Sequence, residues 1–241
     1  NRYAIGVDVG GGVRRDRSVI EITDIFRNEQ VAEWVGDRIP PNELAKVVIR
    51  LGRHFKDAFV TVETNNHGAV TLLKLLEGFE GIKAYPSYLL FQNTNPPDSL
   101  LDYGFKTSVR TKPIMIGYLR TRLLDGFKIH SPGLKDELNT FVETESNKLE
   151  ATEGCFDDRV MALGVCLFGE QHSPYIHEAA ALKQPVKTKN DLEQDVFGLD
   201  SMIGELMSRY NSRQGDFAIP FQDIDADKWN RRTAGGHLIR H

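Results

Sequence analysis

Residues 3–26 read YAIGVDVGGGVRRDRSVIEITDIF, and this stretch decides the fold. Tyr3 to Val9 is apolar and β-branched, the signature of a buried strand, and Gly10-Gly11-Gly12 ends it abruptly. Arg14 to Arg17 form a charged turn, and Ser18 to Phe26 alternates apolar with polar residues like a second strand. Gln30 to Ile39 continues the pattern, so the three segments predict an antiparallel meander.

Working outward, Pro40-Pro41 opens a helix whose Leu44, Val47, Val48, Leu51 and Phe55 share one face. Ala58 to Glu63 (AFVTVE) is a short buried strand, Ala69 to Phe79 a second helix, and Ile82 to Tyr85 a short strand. Residues 86–104, rich in Pro, Asn, Asp and Ser, read as an excursion. Helices are expected over Pro113–Leu124, Gly133–Val142 and Asp157–Phe168. Three meandering strands followed by alternating helices and strands predict an α/β domain over residues 1–170, a mixed sheet with helices on both faces. Residues 171–241 lose periodicity and are expected to form a C-terminal extension, partly disordered.

The bulk composition is that of a globular protein: 241 residues, 40% hydrophobic, 27% charged, net charge −4. Overall acidity does not favour a nucleic-acid partner unless positive charge gathers locally. It does so between residues 106 and 128, where Lys106, Arg110, Lys112, Arg120, Arg122 and Lys128 face one acid, Asp125. No apolar run reaches the roughly 20 residues of a membrane span. Cys155 and Cys166 lack zinc-ligand spacing and read as buried free thiols of a reducing compartment. The opening Asn1-Arg2-Tyr3, without an initiator Met, suggests a domain excised from a longer chain.

Three acidic positions carry the chemistry. Asp8 interrupts the apolar first strand, Glu63 closes the strand AFVTVE, and Asp157-Asp158 opens an apolar helix. A carboxylate at the end of a buried strand is costly without compensation. Carboxylates converging at one sheet edge repel one another, and hard divalent cations such as Mg2+ or Mn2+ relieve that repulsion. Two such ions about 4 Å apart suit phosphodiester hydrolysis. Bland roles compete: Asp8 as a turn residue, Glu63 as half of an ion pair, Asp157 as a helix N-cap.

The ordered set YAIGVDVGGG, DRSVIEITD, VTVETNNHG, GFKTSVRTKP and EGCFDDRVMALGVC, over roughly residues 3–170, resembles the nuclease domain of tailed-bacteriophage large terminases, an RNase H-like family. The resemblance implies a metal-dependent endonuclease that cuts concatemeric double-stranded DNA during viral genome packaging, with little sequence preference. It implies that Asp8, Glu63 and Asp158 bind two Mg2+ or Mn2+ ions and that Asp157 is a further ligand or a helix cap. Asp16, Asn66 and His67 are auxiliary candidates, and Gly68 matches the segment after the Glu. Many members carry His where this chain has Phe156. Lys106, Arg110 and Lys112 would contact DNA phosphates, with Arg14, Arg15 and Arg17 as a second patch. Partners implied by the family are an ATPase motor domain, a small terminase subunit and a portal protein, in the cytoplasm of an infected bacterium. The isolated domain would be a monomer.

No G-x-x-x-x-G-K-[ST] phosphate loop occurs, so the motor is not expected within this chain. Two other enzymes compete with this reading. One is another RNase H-like nuclease of resolvase or transposase type. The other is an actin-like or sugar-kinase-like ATPase fragment, suggested by IGVDVGGG but lacking a second D-x-G-G loop. A non-enzymatic docking module is the third alternative.

Overall fold

A computed structural model describes residues 2–11, 17–65, 67–93, 97–144 and 148–176. Strands β1 (Tyr3–Asp8), β2 (Arg17–Asp24) and β3 (Glu29–Asp37) form the expected antiparallel meander. Helix α1 (Pro41–His54) leads to β4 (Phe59–Val62), which pairs in parallel with β1, so the sheet order is β3-β2-β1-β4. Helices α2 (Gly68–Glu77), α3 (Thr111–Leu124), α4 (Pro132–Thr140) and α5 (Asp158–Glu170) follow, with a hairpin of β5 (Phe141–Glu143) and β6 (Leu149–Ala151) between the last two.

Strand alternation sorts side chains onto two faces. Ile5, Val7, Ile20, Ile22, Val60 and Val62 pack with Leu44, Val48, Leu72 and Leu75 of α1 and α2. The opposite face receives α5, which is buried along most of its length. Gly6 permits this approach: a Cβ there would strike the backbone of Ala162 and Cys166. Helix α3 packs on the far side of α5, with Met115, Leu119 and Phe127 in that core. The mixed sheet with helices on both faces is thus as the sequence predicts.

Four expectations need correction. Ile82–Tyr85 is not a strand: Phe79 and Ile82 exchange backbone hydrogen bonds across a tight turn, and Tyr85 is buried with its N–H on Leu75 O. The helix expected to reach Val142 stops at Thr140, because Phe141 and Val142 pair with β6 instead. Cys155 is exposed, whereas Cys166 is buried as expected. The domain does not end at 170: Ser173 is buried, and Tyr175 donates its hydroxyl to Asp57 O at 2.9 Å. The rest of the expected C-terminal extension, residues 177–241, lies outside the described residues, as do Arg14, Arg15, Asp16 and Asn66. Among the described residues no helix is long and apolar enough to cross a membrane.

The excursion over residues 86–104 has a structural purpose. Leu90 bridges Val60 and Phe105 bridges Glu63, both in parallel, so the segment covers the outer edge of β4. The carboxyl end of β4, where Glu63 sits, is thereby held from both sides.

Candidate metal centre

The register of two strands brings the first two acids together. Val7 pairs with Val62, and Glu63 N donates to Val7 O at 2.9 Å, so Asp8 and Glu63 leave the sheet side by side. Both lie on the α5 face by strand parity. Their carboxyls come within hydrogen-bonding reach. Burial, then the facing Glu63, then Asp158 and Asp157 push the Asp8 carboxyl well above the usual aspartate range.

Glu63 is fixed from behind. Asn65 Nδ2 reaches Glu63 Oε1 at 3.3 Å and Thr107 O at 2.8 Å. Gly68 begins α2 directly against the Glu63 carbonyl, where a Cβ would overlap the oxygen. Asn65 is a residue the sequence reading missed; an Asn two positions beyond an acid is a familiar local partner, but the choice between Asn65 and Asn66 rests on tertiary position. His67 is exposed at the N-terminal end of α2.

The Asp157-Asp158 pair arrives on α5. Asp157 occupies the N-cap position but makes no side-chain capping bond; it pairs with Lys112 at 3.6 Å. Glu137 takes over the capping task, accepting Arg159 N at 2.7 Å on Oε2. Asp158 is gripped through Oδ2 alone, by Arg17 Nε at 2.9 Å and NH2 at 2.8 Å. Burial raises the Asp158 carboxyl above its ordinary range, against the opposing pull of Arg17.

The basic residues divide. Lys106 and Arg110 are exposed. Lys112 and Arg17 are not displayed to solvent in this way: they face Asp157 and Asp158. Arg17 also bonds Glu137 at 2.9 Å and lies over the Phe156 ring at 3.9 Å, which turns it toward the acids. Arg122, counted in the local positive charge, turns inward to pair with buried Glu170 at 2.8 Å.

As they stand, the acids pair with neighbours and do not form a closed cage. Among the described residues no three Asp, Glu, His or Cys side chains converge tightly enough to hold an ion unaided. The chemistry of the donors nevertheless fits a hard divalent cation. Asp8 and Glu63 are neighbouring carboxyls whose like charges repel, and Asp157 and Asp158 stand near enough to raise Asp8 further.

Comparison with solved structures agrees with this architecture. The large terminase nuclease of thermophilic phage G20c with bound cobalt is 20% identical, with a TM-score of 0.52 over 69% of this chain and 80% of that one. The same nuclease with bound magnesium gives the same values. The chain has the fold of a phage large terminase nuclease. No protein-family model and no curated protein matches the sequence. Within the terminase nuclease fold, the Asp8–Glu63 edge and the head of α5 form the acidic end of the sheet.

Proposed function

We propose that this chain is the endonuclease domain of a phage large terminase, hydrolysing double-stranded DNA with little sequence preference during genome packaging. The observation that supports it most is the pairing of Asp8 with Glu63 at the ends of adjacent strands, opposite Asp157 and Asp158 on α5. The neighbours of this fold include nucleases with bound cobalt and magnesium.

Asp8, Glu63 and Asp158 are the residues that would hold Mg2+ or Mn2+, two ions in all, with Asp157 beside them. When bound, such ions lower the pKa of water and stabilise charge on phosphate oxygens. The chain's own residues prepare this. Burial and the facing acids push the Asp8 carboxyl up, and a divalent cation would favour its ionised form, so cation affinity is expected to rise with pH. Asn65 holds one Glu63 oxygen in a fixed direction. Arg17 and Lys112 offset part of the charge of four carboxylates. Lys106 and Arg110, exposed beside the acidic edge, would bind backbone phosphates and so position DNA without reading its sequence. In the packaging machinery the expected partners are the ATPase motor, the small subunit and the portal, in the cytoplasm of the infected bacterium, where the isolated domain is a monomer.

The test is cleavage of supercoiled plasmid by the purified chain with Mn2+ or Mg2+, with EDTA as control. Nicking and linearisation that require the cation, and that vanish in Asp8→Asn, are expected. Cation-independent cleavage, or unchanged nicking by Asp8→Asn, overturns the reading.

A further inference from the structure

Arg17 stands at the first residue of β2, and four contacts immobilise it. Its guanidinium lies over Phe156 at 3.9 Å, NH2 bonds Glu137 at 2.9 Å, and Nε and NH2 converge on Asp158 Oδ2 at 2.9 and 2.8 Å. Glu137 is itself anchored: Oε1 accepts Arg159 NH1 at 2.7 Å, and Oε2 accepts Arg159 N at 2.7 Å. Arg159 Nε in turn donates to Glu33 Oε2 on β3 at 3.0 Å. A chain of charge-assisted hydrogen bonds therefore runs from the sheet through Arg159, Glu137 and Arg17 to Asp158. The side chains of Arg17 and Glu137 are only 17% and 8% exposed, so solvent screens these bonds little.

We propose that Arg17 is the positioning residue for Asp158: its fork claims Oδ2, fixes the carboxyl rotamer and leaves Oδ1 as the oxygen offered to a divalent cation. This rests on the nuclease reading above. A guanidinium seated on a ring and shared between two carboxylates is a template and not a gate, because moving it breaks several bonds at once. The same geometry gives Phe156 a purpose, as the floor on which the Arg17 plane rests. Lysine could supply the charge, but neither the planar fork nor the stacking.

Mn2+ binding to the full 241-residue chain, measured by isothermal titration, tests the proposal. Loss of a partner that orients a metal ligand typically costs ten- to a hundredfold in affinity. Arg17→Gln and Arg17→Lys are each expected to weaken Mn2+ binding by about tenfold. Plasmid cleavage by Arg17→Gln should regain the wild-type plateau when Mn2+ is raised by about the same factor. A purely structural role would lower the melting temperature in EDTA and leave the Mn2+ affinity of the folded protein unchanged. Wild-type or tighter binding by Arg17→Gln overturns the proposal, tighter binding marking Arg17 as a cation that competes with the metal. Wild-type binding by Arg17→Lys overturns it too, because charge would then suffice. If the Arg17 variants do not fold, Glu137→Gln, which loosens Arg17 without removing it, must weaken Mn2+ binding; wild-type affinity there overturns the proposal. Failure of the wild-type chain to bind Mn2+ at all would instead defeat the nuclease reading itself.

Discussion

Asp8 and Glu63 end neighbouring parallel strands in register, with Glu63 N on Val7 O at 2.9 Å and the two carboxyls within hydrogen-bonding reach. Two like charges in that position strain the fold until a cation or a proton separates them. Asp8→Asn removes the strain and the ligand together. It is expected to abolish cation-dependent plasmid cleavage and to melt no lower than wild type in EDTA. Mn2+ at a hundred times its dissociation constant stabilises the folded state by about 2.7 kcal/mol for each site filled, and this gain should disappear in the variant. Asp158→Asn is expected to lose cleavage while remaining folded.

The salt dependence of DNA binding distinguishes the exposed cations from those turned inward. Each phosphate contact adds about one to the slope of log affinity against log salt. Lys106→Gln and Arg110→Gln should each weaken binding evenly across sequences and reduce that slope by about one. Arg122→Gln should not reduce it, because Arg122 is spent on Glu170. Its effect should instead be a loss of stability, since Glu170 would be left buried without its partner. Fluorescence anisotropy over a salt series measures the first effect and thermal melting the second.

Glu21 sits fully buried on β2 beneath α5. Gln30 Nε2 donates to its Oε2 at 2.6 Å, while Oε1 has no hydrogen-bond donor among the described residues. Neighbouring Glu33 can bond Glu21 only if one of the two carries a proton. Burial first, and Glu33 second, raise the Glu21 carboxyl well above 4.5, the ordinary glutamate value. The folded state therefore holds a proton that the unfolded chain releases. This contribution to stability is present below 4.5 and is lost as pH rises toward the raised folded value. Glu21→Gln, neutral at every pH, should gain stability relative to wild type as pH increases. Thermal melts in EDTA between pH 5 and pH 8 measure it; a difference independent of pH would refute the assignment.

Gly6 is the point where β1 and α5 come closest, with Ala162 and Cys166 directly opposite. Overpacking a tight core costs about 1–3 kcal/mol, and a backbone contact can yield less than a side-chain contact. Gly6→Ala should fall at the upper end of that range by chemical denaturation. Because α5 carries Asp157 and Asp158, the same substitution should also weaken Mn2+ binding.

The two thiols should differ in reactivity. Cys155 is exposed, whereas Cys166 is buried and its thiol is pushed up by desolvation. An aromatic disulfide reagent should titrate one thiol in the native chain and both in denaturant.

Much of this protein is legible in one dimension. The period-two patterns of residues 3–26 and the apolar faces of α1 and α5 depend only on local spacing, so the meander, the helices and the order of the α/β elements follow from the sequence. Asp8, Glu63 and the Asp157-Asp158 pair also stand out, because acids interrupting or closing apolar runs are costly wherever the chain folds. Three-residue strands such as β5 and β6 leave no period to detect, so the hairpin emerges only from the pairing itself. What each charge touches is likewise a tertiary matter. Arg17 and Asp158, Lys112 and Asp157, and Arg122 and Glu170 are remote in sequence. A cation in a basic stretch looks the same whether it meets solvent or a carboxylate. Ion-pair choice depends on distances of a few ångströms that only the packing of α3, α4 and α5 against the sheet decides.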